Sequence, residues 1–176
     1  MQRVLGILIS FGLSVVVWAG ETISEGWLAK GTKWETPFYV RVSGKDGPTV
    51  VITGGIHGNE PAGARAAEQI RHWPITRGRL VVIPRVNIPG LRDGTRFLPG
   101  ESPQRRDLNR QFHKTKAPPG AQGVLGKALW QFIAGQNPDW MIDLHEGHDF
   151  HQINSKSVGS SIIDAKGKAA DVAVPL

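Results

Sequence analysis

The sequence predicts an α/β domain in which helices flank a mainly parallel or mixed sheet. Short β-branched runs alternate with helical stretches, one run over residues 49–53 is apolar and β-branched throughout, and two histidines fall just past strand ends. Alternating strands and helices build parallel units. Strands covered on both faces lose their polar alternation. Sheets of this kind bind ligands beyond the carboxyl ends of their strands, so the two histidines mark a candidate site.

The elements follow in order. Arg3 opens the chain, Val4 to Trp18 are almost wholly apolar, and Val17-Trp18-Ala19 has the small-residue end of a cleavage site. That order of parts belongs to a secretory signal peptide, and a run of about fifteen apolar residues falls short of the roughly 20 that span a bilayer. The expectation is an export signal over residues 1–19 and one domain over residues 20–176. It is periplasmic or secreted, with no stable membrane anchor after cleavage; an uncleaved anchor is the alternative. Residues 21–35 show no clear period and read as a lead-in. Phe38, Val40 and Val42 alternate with Tyr39 and Arg41, the sign of a half-buried strand. After the turn at Gly44 to Pro48, residues 49–53 form a buried strand, and Pro61 opens a helix reaching about His72. Residues 80–83 are a third strand. Residues 84–119 are rich in Gly, Pro and Arg and predict a long loop. A helix over residues 121–134 carries Val124, Leu125, Leu129, Phe132 and Ile133 on one stripe, residues 140–144 are another strand, and residues 161–163 start one more.

Composition narrows the chemistry. The chain has 176 residues, 40% of them hydrophobic and 20% charged, with a formal net charge of +6 and no cysteine. Thiol catalysis, disulfides and cysteine zinc sites are excluded. Metal or nucleophile chemistry falls to His, Asp, Glu, Ser, Thr or Lys. Ser102 and Ser155 have no His/Asp partner at a recognisable spacing, and the basic residues form no aromatic–basic array for nucleic acid.

The turn Gly54-Gly55-Ile56-His57-Gly58-Asn59-Glu60 sets an imidazole and a carboxylate three residues apart at the end of a strand. Two His and one Glu with an open fourth position make a catalytic zinc site, and His145, after Asp143-Leu144, is the best third ligand. The bland alternative is a surface turn with a solvated Glu60. In the long loop, Asp107-Leu108-Asn109-Arg110 offers Asn109 and Arg110 as a grip for a substrate carboxylate, Arg through its two-pronged fork.

These three segments, in this order, resemble the motifs of the zinc carboxypeptidase superfamily, and within it the succinylglutamate desuccinylase/aspartoacylase family. The resemblance covers roughly residues 36–165. It implies one zinc ion on His57, Glu60 and His145, with Asn109 and Arg110 on the substrate carboxylate. Thr95-Arg96-Phe97 is similar to the family's Thr-Arg-aromatic stretch, which gives Arg96 the catalytic role of facing the polarised carbonyl oxygen. Asp107 is expected to orient the His57 ring. The implied reaction is hydrolysis of an amide in a small acidic or carboxylate-bearing substrate, an N-acyl amino acid or a peptide, by an activated water. Arg96 would steady the oxyanion.

One departure stands out. The family takes its general base from a Glu on a later strand, whereas this sequence has no Glu after Glu146. Glu146 itself should face away from its neighbour His145. The expectation is a C-terminally truncated member that binds zinc and hydrolyses poorly. The competing readings are a catalytically silent zinc- and carboxylate-binding protein and, from charge alone, an exported binder of anionic polymer.

Overall fold

A computed structural model describes residues 9–10, 13–18, 20–112, 120–147 and 153. The chain divides into two compact units, Met1–His145 and Glu146–Leu176. Every element named below lies in the first; of the second, Ile153 sits exposed in a turn. The expected strand at residues 161–163, and His113, His148 and His151, lie outside the described residues.

Seven strands form one sheet in the order β1-β2-β3-β4-β6-β5-β7. They are β1 (Ile9–Ser10), β2 (Leu13–Trp18), β3 (Glu21–Leu28), β4 (Thr36–Val42), β5 (Thr49–Gly54), β6 (Arg79–Ile83) and β7 (Trp140–Leu144). The sheet is mixed, as expected. β1 to β4 and β6 pair antiparallel, whereas β5 lies parallel to both β6 and β7. Helix α1 (Pro61–Ile70) follows β5, α2 (Ile88–Asp93) follows β6, and α3 (Val124–Gln136) precedes β7.

The parallel centre is apolar for the reason its sequence announced: both faces are covered. Val51, Val81 and Ile83 point to one side, with Leu28, Trp34, Val40, Leu98, Leu108, and Leu125 and Leu129 of α3. Ile52, Leu80 and Val82 point to the other, with Ala67 of α1, and Ile70 and Leu144 pack there. The alternation in β4 also holds. Val40 is core, Phe38 and Val42 pack against it, and the Phe38 ring lies 4.2 Å from that of Phe132. On the opposite face, Arg71 at the end of α1 covers the Tyr39 ring at 4.1 Å, and Arg41 Nε donates to the Arg71 carbonyl at 2.8 Å.

Four readings need correction. The lead-in is a strand: β3 pairs with β4 from Thr22↔Val42 to Leu28↔Thr36. Of residues 84–119, the described part, 84–112, is more than a loop. It contains α2 and a 3₁₀ turn, Leu108–Arg110, and is pinned to the core by Val86, Leu98 and Leu108. Val124, expected on the buried stripe of α3, is exposed at that helix's first residue. Trp27 and Trp73, which as large aromatic side chains the sequence offers as packing residues, are 48% and 59% exposed. Residues 9–10 and 13–18, within the segment read as an export signal, run as strands, β2 lying against β3. Among the described residues, no helix is long and apolar enough to cross a membrane.

Candidate metal centre

The site is built where two parallel neighbours end together. Gly54 of β5 registers with Leu144 of β7, so the next residues of both strands emerge on one rim. His57 leaves β5 and His145 leaves β7, and their ring centroids lie 5.0 Å apart.

Glu60 joins them through the turn between β5 and α1. Its amide donates to the His57 carbonyl at 3.2 Å. It occupies the N-cap position of α1 without capping the helix with its side chain, which is turned into the site instead. Gly58 permits the turn to sit where it does: a Cβ there would lie 2.0 Å from the backbone carbon of Gly90 in α2. Carbonyls of the same turn, Gly54 and Gly55, accept from the amides of Val86 and Asn87 at 3.0 and 2.9 Å. The turn is therefore clamped between α1 and the approach to α2.

Both Glu60 oxygens face imidazole. His57 Nδ1 lies 2.8 Å from Oε1, and His145 Nδ1 lies 2.7 Å from Oε2. Each ring then turns its outer nitrogen to an aspartate, His57 Nε2 to Asp107 at 3.2 Å and His145 Nε2 to Asp143 at 2.8 Å. Asp143 is held in turn by the buried Thr53 hydroxyl, which donates to it at 2.7 Å. His57 and Glu60 are 2% and 4% exposed, which removes the solvated-turn alternative. The Asp143 hydrogen bond raises the His145 pKa from 6.5 to about 9; burial opposes this, and Glu60 adds to it.

His57, Glu60 and His145 could hold a metal ion, since one ligand atom from each lies within 4.8 Å of the others. The donor set fits a catalytic zinc: two inner imidazole nitrogens, one carboxylate, and outer nitrogens facing carboxylates that would keep the inner ones as ligands.

Of the remaining predicted residues, Arg96 and Asp107 touch the site. Arg96 Nη1 donates to Glu60 Oε1 at 2.7 Å. Asp107 caps the 3₁₀ turn by accepting from the Asn109 amide at 3.1 Å while it faces His57. Asn109 is half-buried on that turn and Arg110 is exposed, its guanidinium 3.4 Å from the Asn109 carbonyl. Three further residues support the site. Asp143 was signalled by its spacing, because residues two apart on a strand share a face. Thr53 had no signal beyond its β-branching. Asn87, fully buried, accepts from the Gly90 amide at 3.0 Å and donates to the Phe97 carbonyl at 3.3 Å, which fixes the backbone next to Arg96.

Comparison with known proteins agrees with this geometry. Residues 46–157 match the model of the succinylglutamate desuccinylase/aspartoacylase catalytic domain. An N-alpha-acetyl-L-2,4-diaminobutyric acid deacetylase from Halomonas elongata is 28% identical over 108 residues, 58% of this chain and 29% of that protein. A succinylglutamate desuccinylase/aspartoacylase from Rhodobacter sphaeroides superposes with a TM-score of 0.52 and 28% identity, over 81% of this chain and 44% of that one. An aspartoacylase family protein from Mesorhizobium loti shares the fold, with a TM-score of 0.57 and 23% identity over 82% of this chain and 45% of its own. The chain thus spans less than half the length of these relatives. With a catalytic-domain match over well more than half its residues, it belongs to the succinylglutamate desuccinylase/aspartoacylase family.

Proposed function

We propose that this chain carries the zinc centre of an amide hydrolase acting on small carboxylate-bearing substrates, N-acyl amino acids first among them. The observation that carries the reading is the convergence of two Nδ1 atoms on the two oxygens of one buried glutamate, with an aspartate behind each ring. The family assignment and the deacetylase relative support the same reaction class.

Bound zinc would supply an activated water and polarise the scissile carbonyl. The protein's own residues supply the rest. Asp107 and Asp143 hold the imidazoles in one tautomer and orientation. Arg96, at the rim on a backbone fixed by Asn87, faces the carbonyl oxygen and offsets its developing charge. Asn109 and Arg110 grip the substrate carboxylate. Residues 1–19 direct export, so the mature chain begins at Gly20 and meets its substrate outside the cytoplasm.

A second reading has its own support. Asp107 and Asp143 both face imidazole nitrogens, so neither is placed to take a proton from water. A chain that holds zinc and a carboxylate without turnover would look like this. Incubating zinc-loaded protein with N-acetyl and N-succinyl amino acids and with short peptides, and measuring released amine, separates the two. Release that is lost on chelation supports the hydrolase; binding of the acyl amino acid to zinc-loaded protein with no release favours the silent binder.

A further inference from the structure

We propose that Arg96 competes with the metal ion for Glu60, so that loading the site and freeing this guanidinium for substrate are one event. The inference rests on the reading of His57, Glu60 and His145 as metal ligands.

Glu60 is a carboxylate 4% exposed to solvent. A buried carboxylate needs a counter-charge. Arg96 Nη1 supplies one at 2.7 Å, on the same oxygen that faces His57 Nδ1. The two kinds of partner differ in what they can give up. An imidazole can release a proton and remain as a ligand, whereas a guanidinium in a protein keeps its charge. A divalent cation on Glu60 therefore leaves the imidazoles in place and repels Arg96.

The surroundings let the side chain move and hold its backbone still. The Arg96 side chain is 37% exposed. On either side of it, the Thr95 amide donates to the Gly90 carbonyl at 3.0 Å, and the Phe97 carbonyl accepts from Asn87 Nδ2 at 3.3 Å and from the Thr95 hydroxyl at 3.2 Å. A guanidinium displaced from Glu60 pivots about a fixed base and stays at the rim, where substrate arrives. Arg96 is thus a placeholder on the metal ligand in one state and a substrate-facing cation in the other.

The test is zinc affinity, read by competition with a fluorescent chelator for the full chain and for Arg96→Met, Arg96→Lys and Arg92→Met. Arg92 pairs with Asp93 in solvent and serves as a charge control. Removing Arg96 should tighten zinc binding about tenfold or more, within the usual range of coupling between two sites. Arg96→Lys, which keeps the charge, should tighten it less, and Arg92→Met should leave it near the wild-type value. Wild-type or weaker affinity in Arg96→Met overturns the competition while leaving the metal site standing. No zinc binding in either protein overturns both. Should Arg96→Met fail to fold, the wild-type protein answers alone: zinc should shift the Arg96 Nε–H resonance, and an unmoved resonance in zinc-bound protein overturns the proposal.

Discussion

Asp143 reaches His145 from two residues earlier on β7, and Thr53 on the neighbouring strand holds Asp143 in place. This chain of contacts holds the His145 ring and favours its protonated form. Replacing Asp143 by Asn keeps the shape and removes the charge. Zinc affinity should fall about 10- to 100-fold, as for other partners of metal-ligating histidines, and the His145 titration should move from about 9 back toward 6.5. Chelator competition and NMR titration of the metal-free protein measure the two effects. The same ring sets a pH dependence. His145 holds its proton more tightly folded than unfolded, so its contribution to the metal-free protein is whole below pH 6.5 and fades as pH rises through about 9. Urea midpoints across that window should fall more steeply for wild type than for Asp143→Asn. Zinc binding runs the other way: a proton must leave His145, so affinity should drop as pH falls below about 9.

At the scale of elements, the site depends on how closely the β5–α1 turn approaches α2. Gly58→Ala would drive a methyl into the Gly90 backbone, and overpacking of this kind costs about 1–3 kcal/mol. The variant should show a lower urea midpoint together with weakened zinc binding, because the displaced turn carries both His57 and Glu60. What could be read from the sequence follows the same physics. The turn and strands β5 and β6 were legible because burial on two faces and glycine-loaded geometry leave plain marks. Asp107, expected beside His57, does lie beside it. β3 was hidden because Gly26 stands where an inward side chain would show the alternation; a Cβ there would lie 2.5 Å from the Phe38 ring. Helix α2 was hidden in a stretch of six residues containing Pro and Gly, where the Asn87 cap and the contact with the β5–α1 turn outweigh weak propensity. The Arg96–Glu60 pair joins residues 36 apart in sequence, and no local pattern announces such a contact.

For the whole molecule, binding to the folded state alone adds stability. Zinc at a thousand times its dissociation constant should raise unfolding free energy by about 4 kcal/mol, seen as a higher melting temperature that chelation reverses. The proposed export has its own readout. Mass spectrometry of protein recovered outside the cytoplasm should find Gly20 as the first residue, which would leave β3 paired with β4 alone; a chain beginning at Met1 contradicts the cleavage.

The central claim is that His57, Glu60 and His145, contributed by two strand ends and one turn, hold a single ion together. Equilibrium dialysis with zinc, followed by metal analysis, tests it directly. One zinc per wild-type chain is expected, with loss of that zinc in His57→Ala, Glu60→Gln and His145→Ala alike. Undiminished zinc in folded His145→Ala would contradict it.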